Sequence, residues 1–537
     1  MMFEARRPCR CARPGGGSHA SPPPAVALVA TTVASWIALG VLWLAPLPAA
    51  AAGQQDNRGT EFMLGFAENY SGSLNLVLFI TGSVATTGTV EIPNLEFSQA
   101  FSVVPGTVTP VSLPLGAEAA GSDVTAMSGI HVTANAEIVV YGLNQIPATT
   151  DAFLGLPTDI LGTEHLVLSF EQPSFGVTGA SEFLIVGVQD NTNVTITPSI
   201  TTGVRSAGVP YTITLNRFET YQLQSDGTGE DLSGSIIQSD QPVAVFGGSR
   251  CADVPATTGA CDHLIEQLPP TATWGASFLT VPLATRTAGD LFRIIARDSG
   301  TEVRIDGTLV ATLARAAFHQ ANLASGTFHT IEATGPVMVM QYSKGSGADG
   351  VTSDPFMMMI PPTQQFQPSY TLTTPAADPV TFNNFINVVV DTSDTGSCTI
   401  DGGPFTAAFT AIGASGFSGA QQPVAIGSHV LACPHPSGAY SYGFAGADSY
   451  GYPGGLALEN IAETHVVLTP ARAFDPPGVG HTVTAHVTVN VVDPVPARDV
   501  TFNVVAGPNA GDSGTSTTNA SGEASFTYTG DGGVGVD

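Results

Sequence analysis

Apolar and polar positions in this chain alternate in short bursts, and one burst returns four times. An apolar run leads through a polar turn into a strand ending in Val-x-Ile or Cys-x-Ile. The copies are Leu74–Ile92 (LNLVLFITGSVATTGTVEI), Phe183–Ile196 (FLIVGVQDNTNVTI), Phe292–Ile305 (FRIIARDSGTEVRI) and Phe385–Ile400 (FINVVVDTSDTGSCTI). Their last residues lie 104, 109 and 95 residues apart, a period that marks one supersecondary unit copied in tandem. A closing strand follows in step: Gly129–Tyr141, Gly234–Phe246, Phe328–Met340 and, more divergent, His429–Phe444. Leu156-Pro157, Leu268-Pro269 and Ile360-Pro361 stand 24 to 27 residues ahead of the second, third and fourth apolar runs. The first unit opens instead on Gly59-Thr60-Glu61-Phe62, echoed by Gly162-Thr163-Glu164-His165.

Short stretches rich in Val, Ile, Thr and Phe, broken by Gly, Pro, Asn and Asp, read as strands throughout. About seven fit in each unit, the number a β-sandwich needs. The expected fold is therefore all-β: four tandem sandwich-like repeats over 53–155, 156–267, 268–359 and 360–455, then a partial domain over 456–537. A β-propeller with two blades per repeat is the alternative.

Residues 1–52 stand apart. Arg6, Arg7, Arg10 and Arg13 precede an apolar stretch from Ala25 to Leu44, and Pro46 and Pro48 break it before Ala50-x-Ala52. This is the pattern of a cleaved signal peptide; left uncleaved, it is long enough to anchor in a bilayer. Either reading puts the rest outside the cytoplasm, secreted or at a cell surface, with no membrane segment left after cleavage.

Charge removes one class of function. The chain carries a formal charge of −28, and Lys344 is its single lysine. Nucleic-acid binding needs clustered Lys and Arg, so it is excluded. Four cysteines remain beyond the leader, Cys251, Cys261, Cys398 and Cys433, and an even number in an exported chain reads as disulfides. Proximity favours Cys251–Cys261. The repeat favours Cys398–Cys433, because Cys398 stands where the other copies carry Val90, Val194 and Val303.

Catalytic and metal patterns are weak. Cys261-Asp262-His263 with Glu266, and Cys433-Pro434-His435 with His429, resemble fragments of a zinc site or a thiol nucleophile, but bridged cysteines can serve neither role. Gly413-Ala414-Ser415-Gly416-Phe417 lacks the last glycine of a nucleophile elbow. No cofactor is expected. Calcium would find abundant oxygen ligands, yet no acidic spacing forms a calcium loop. Tyr440, Tyr442 and Phe444 alternate as a core-facing strand should. Tyr450 and Tyr452, among glycines, are the candidate ligand-binding residues, since tyrosines on such loops give contact area at low entropy cost.

Several runs resemble the IgGFc-binding protein N-terminal domain family: Gly59–Asn69 (GTEFMLGFAEN), Asp240–Gly248 (DQPVAVFGG), the Cys251…Cys261-Asp-His-Leu-Ile-Glu-Gln-Leu-Pro-Pro270 stretch and Trp274-Gly275. The resemblance implies an extracellular adhesive module without catalytic residues. That family is named for a mucus protein that binds immunoglobulin Fc, a property that does not follow for every member. The tail, from Leu468-Thr-Pro to Ala524-Ser-Phe-Thr-Tyr-Thr-Gly530, resembles bacterial Ig-like (invasin-type) repeats. Such a repeat would add a closing strand after Asp537, so a longer surface protein is expected. The function read from the sequence is non-catalytic binding of a glycan or glycoprotein. The alternative is a structural stalk or surface-layer element with no ligand. A polysaccharide-active enzyme is a third reading, although no carboxylate pair can be singled out.

Overall fold

In the computed structural model, each repeat is built around one long strand that serves two sheets. The model describes residues 56–70, 75–173, 179–458, 464–470, 476–489, 493–496 and 498–533; the expected leader and its cleavage site lie outside them. The first repeat contains β1 (Gly59–Leu64), β2 (Asn75–Thr81), β3 (Thr86–Ile92), β4 (Phe97–Val103), β5 (Thr109–Leu113), β6 (Val124–Ala126), β7 (Ile130–Ile146) and β8 (Thr149–Leu154). The amino half of β7 lies between β1 and β3, with β4 outside β3. Its carboxyl half lies between β2 and β8, with β5 outside β2.

The second repeat follows the same plan with β9 (Gly162–Leu166), β10 (Ser181–Gly187), β11 (Thr192–Thr197), β12 (Tyr211–Leu215), β13 (Thr220–Gln224), long β14 (Ile236–Ala252) and β15 (Asp262–Leu268). The third has β16 (Gly275–Thr280), β17 (Asp290–Ala296), β18 (Thr301–Ile305), β19 (Thr308–Leu313), β20 (Phe318–Leu323), long β21 (His329–Tyr342) and β22 (Met357–Ile360). The fourth has β23 (Gln367–Thr374), β24 (Asn383–Asp391), β25 (Thr399–Ile400), β26 (Gly403–Pro404), β27 (Thr410–Ala411), β28 (Phe417–Val424), long β29 (Gly427–Ala445) and β30 (Asp448–Pro453). The fold is all-β with tandem sandwich-like units. The apolar runs form inner strands, and β10 and β17 are buried along their whole length. Val90, Val194, Val303 and Cys398 are all buried at the same place in their repeats.

A bulge bends each long strand from one sheet to the other. Two steps along β1, Gly59 to Glu61, face five along β7, Ile138 to Thr133. The same step recurs at Gly162/Glu164 against Val243/Gln238, at Gly275/Ser277 against Val337/Glu332, and at Gln367/Ser369 against Ser437/Ala432. Residues inside a bulge leave the ladder, so proline's missing N–H costs nothing there. Pro242, Pro336 and Pro436 each stand just before the ladder resumes. This explains the Asp240-Gln-Pro-Val run physically.

Neighbouring repeats meet through a recurring contact. A Cβ on Gly59 would meet Pro157 at 2.3 Å, one on Gly162 would meet Pro270, and one on Gly275 would meet Pro362, both at 2.4 Å. The equivalent prolines are thus 157, 270 and 362, one residue beyond the Leu268-Pro269 and Ile360-Pro361 register read from the sequence. Two homologous ion pairs also cross these seams: Arg217–Glu61 at 2.9 Å and Arg315–Glu164 at 2.8 Å.

The repeats close on themselves rather than running as a linear stack. Asn57 N donates to the Leu456 carbonyl (3.1 Å), and the Asn57 side-chain oxygen accepts from Leu456 N (3.1 Å) and from the Gln367 amide (3.3 Å). Tyr141 OH donates to the Gly454 carbonyl (2.9 Å) and Gln145 Nε2 to the Ala377 carbonyl (3.1 Å). The first and fourth repeats are therefore neighbours, and residues 56–458 form a ring of four.

Residues 464–533 add a smaller β unit: β31 (Thr464–Thr469), β32 (Gly480–Val489), β33 (Asp493–Pro494), β34 (Asp499–Asn503), β35 (Ser513–Thr517) and β36 (Glu523–Thr529). β32 pairs with β31, β33 and β36, while β34 pairs with β35. Ala485, Phe502 and Ala524 form its own small core.

Candidate functional site

The ring brings its four hairpin arms β8, β15, β22 and β30 together at the centre, where each touches the next in a closed cycle. One side chain serves all four. Asp151 on β8 is fully buried. Its Oδ1 accepts from Ala152 N (2.8 Å) and from Gly451 N on β30 (3.3 Å). Its Oδ2 accepts from Ile265 N on β15 (3.1 Å) and from Met357 N on β22 (3.2 Å). Gly451 allows this approach, because a Cβ there would meet the Phe356 ring at 2.3 Å. Burial pushes the Asp151 carboxyl well up from its ordinary value, against four backbone donors that pull it down. Its four hydrogen-bond partners are backbone N–H groups, two on each carboxyl oxygen.

More carboxylates surround this hub. Counting eight residues back from the seam prolines 157, 270 and 362 gives Thr149, Asp262 and Asp354. Asp448 holds the same place on β30, since Ala445↔Asp448 repeats the Ile146↔Thr149 pairing. Three of four homologous positions are thus acidic and buried. Burial, and then the nearby charges of Asp354, Asp448 and Asp151, push Asp262 well up. Burial is also the main cause for Asp354, Asp448 and Asp253, each raised to about 6. Glu266, raised by burial, accepts from Met359 N (3.2 Å). Asp151, Asp262 and Glu266 accept from backbone amides, while Asp262 Oδ2, Glu266 Oε2 and Asp448 Oδ1 are buried with no hydrogen-bond partner.

This arrangement serves assembly, joining backbone segments of four repeats. Glycosidic chemistry needs two carboxyl groups flanking a bond in an open site, and Asp151, Asp262 and Glu266 have no exposed surface. Among the described residues no three His, Cys, Asp or Glu side chains are grouped to hold a metal ion. His429 and His435 bind separate partners, Asp401 (2.8 Å) and Asp394 (2.9 Å). His263 is buried beside the Cys251–Cys261 bridge region, its pKa lowered to about 3 chiefly by burial.

The sequence-predicted site residues fall in two groups. Cys251 is bonded to Cys261, closing the loop of the β14–β15 hairpin, and Cys398 to Cys433, across the bend of the fourth repeat. Tyr450 and Tyr452 require a correction. They are 0% and 1% exposed and belong to the seam between the fourth and first repeats, not to a ligand-binding loop. Tyr450 OH donates to Asn384 Oδ1 (2.7 Å) and Tyr452 OH to the Thr373 carbonyl (2.8 Å). The Tyr452 ring lies 4.6 Å from that of Tyr141. Their spacing of two is that of a strand, and β30 is one. Asp151, the residue that joins the four repeats, is not singled out by the sequence: it stands in the mixed stretch Thr149–Leu154 (TTDAFL), whose strand is buried along its whole length only once the ring closes.

On the outside, an open depression of about 460 Å³ lies on the first repeat where β3, β4 and β7 meet. Thr87, Thr89, Ser102, Thr133, Asn135 and Phe101 contribute to its lining, and none of its lining residues is charged.

The fold and its two bridges define an all-β protein of an oxidising, extracytoplasmic compartment, built as a closed ring with a sealed polar centre. The chain belongs to the IgGFc-binding protein family, whose sequence model matches residues 151–443. The human IgGFc-binding protein is 27% identical over an alignment of 432 residues that covers 77% of this chain and 8% of that protein. The chain therefore spans less than a tenth of that relative's length. Against the N-terminal eight Ig domains of Down syndrome cell adhesion molecule, identity is 8% with 88% of this chain and 69% of that one covered. The TM-score of 0.08 gives that comparison no weight.

Proposed function

We propose that the ring of residues 56–458 is a non-catalytic binding module of an exported adhesive protein, and that its ligand is a glycan or glycoprotein. The observation that carries this reading is the division of polar groups. Asp151 acts inside the ring, joining its four arms, whereas the open depression on the first repeat presents hydroxyl and amide groups with no charge. Neutral donors and acceptors beside an aromatic edge suit a sugar surface better than a charged ligand. The name of the human relative adds immunoglobulin Fc as a second ligand to test. The tail's resemblance to invasin-type repeats supports a bacterial surface protein in which the ring is carried by Ig-like units. Closure of the four repeats disfavours the stalk reading, since a ring does not lengthen a stalk.

The test is binding of the purified chain to arrayed glycans, mucins and immunoglobulin Fc, with and without calcium. A saturable, selective signal lost on Ser102→Trp, which fills the depression, is the expected result. A folded sample that binds nothing on the array overturns the proposal in favour of a structural role.

A further inference from the structure

We infer that the depression on the first repeat takes uncharged glycan chains and rejects their sialylated and sulfated forms; this rests on the glycan reading of the ring and narrows its ligand class. Recognition of a carboxylated or sulfated sugar calls for a guanidinium or ammonium free to clamp the anion. The ring has none to spare. Residues 56–458 contain nine arginines and one lysine against 34 acidic residues, and each arginine is already held by a carboxylate of its own. Arg217 and Arg315 hold Glu61 and Glu164 across the seams, and Arg286 and Arg293 are buried against Asp349 and Asp231. Arg58, Arg205, Arg250, Arg297 and Arg304 pair with Asp56, Asp123, Glu68, Asp298 and Glu302. Lys344 Nζ donates to the Ala288 carbonyl at 2.7 Å and to Asn322 Oδ1 at 2.5 Å.

An external anion could engage these groups only by displacing a carboxylate tethered beside them, which holds the advantage of an intramolecular partner. Histidines offer no substitute. His131, His329, His429 and His435 each pair with a carboxylate, His165 and His263 are fully buried, and burial lowers the pKa of His319.

The depression adds the positive half of the selection. Alternate residues of a strand share a face, so Thr87, Thr89 and Glu91 of β3 point the same way. Their ladder partners on β4 are Ser102, Ala100 and Ser98, and Thr133 of β7 lies opposite Thr89. The face is therefore lined by hydroxyls and continues to Glu91, whose side chain is 47% exposed and has the sign of a sialate or sulfate. Over residues 53–155 a single arginine, Arg58, stands against nine acidic residues, so the local field repels anions as well.

Hydrogen-bonding capacity points in the same direction. Asn135 Nδ2 donates to the Thr87 carbonyl (3.1 Å) and to Thr87 Oγ1 (2.9 Å), which fixes the amide with Oδ1 as its remaining acceptor. A sugar hydroxyl can donate to that oxygen and accept from a threonine beside it. An ionised carboxylate or sulfate only accepts.

The test is binding of the full chain to matched oligosaccharides, each neutral chain beside its sialylated and its sulfated form, at low and at physiological salt. The neutral form should bind at least about tenfold more tightly than either charged form, and the gap should widen as salt is lowered. Sialidase treatment of a mucin should raise its signal. Glu91→Gln should narrow the gap with unchanged circular dichroism, and Thr89→Arg should narrow it further by supplying the missing cation. Equal or stronger binding of the charged forms to the wild-type chain overturns this inference and leaves the glycan reading standing. A gap unmoved by both substitutions overturns the assignment to this depression. A folded chain that binds no member, neutral or charged, overturns the glycan reading and this inference together.

Discussion

Replacing Asp151 by asparagine isolates what the hub contributes. The two side chains have nearly the same shape, so no cavity is made. Asparagine keeps one acceptor oxygen and turns the other into an NH₂ donor. Whichever way the amide is turned, two backbone N–H groups face a donor: Ala152 and Gly451, or Ile265 and Met357. A buried donor without an acceptor costs about 1–3 kcal/mol, so Asp151→Asn should destabilise the ring by about 2–6 kcal/mol. That is a large share of the roughly 5–15 kcal/mol by which folded proteins are stable. Trp274 is the one tryptophan beyond the expected leader; it is buried, with its indole N–H donating to the Pro269 carbonyl at 3.2 Å. Urea unfolding followed by its fluorescence therefore reports on the ring. A midpoint for Asp151→Asn equal to that of the wild type would refute the assignment of Asp151 as the group that joins the four arms.

Three further outcomes follow from the same geometry. Asp253, Asp354 and Asp448 have folded pKa values near 6, raised from 3.8 by burial; the fold favours their protonated forms, so their contribution is greatest below about pH 4 and is lost as pH rises through 6. Urea midpoints between pH 4 and 8 should fall over that window, and Asp354→Asn with Asp448→Asn should flatten the decline. A fragment limited to residues 151–443 lacks β1 to β7 and the Asn57–Leu456 clasp, so it should aggregate or remain partly unfolded by circular dichroism and gel filtration, whereas 56–458 should give a monodisperse, folded species. Tyr450→Phe, which removes the hydroxyl held by Asn384, should lower stability by about 0.5–1.5 kcal/mol in urea titrations and leave ligand binding unchanged in the array assay.

Local pattern made much of the fold legible. The recurring apolar run and Val-x-Ile strand give the repeat because each copy must bury the same face. Cys398 in register with three buried valines reports its own location. The sequence register sets the seam prolines one residue off, since Pro269-Pro270 and Pro361-Pro362 offer two choices and only contact with Gly162 and Gly275 distinguishes them. The hub was not legible, because Asp151, Ile265, Met357 and Gly451 come together only when four repeats close, and backbone donors leave no mark on a sequence. Tyr450 and Tyr452 looked like loop tyrosines because of the surrounding glycines; those glycines in fact let strands and rings approach closely at the centre.

The meeting of Asn57 with Leu456 has a mechanical consequence. Both ends of the ring emerge side by side, so tension along the polypeptide loads the short clasp between them and does not run through the four repeats in series. A pull applied across those two ends is met first by the Asn57 hydrogen bonds to Leu456 and Gln367, with the Tyr141–Gly454 bond behind them.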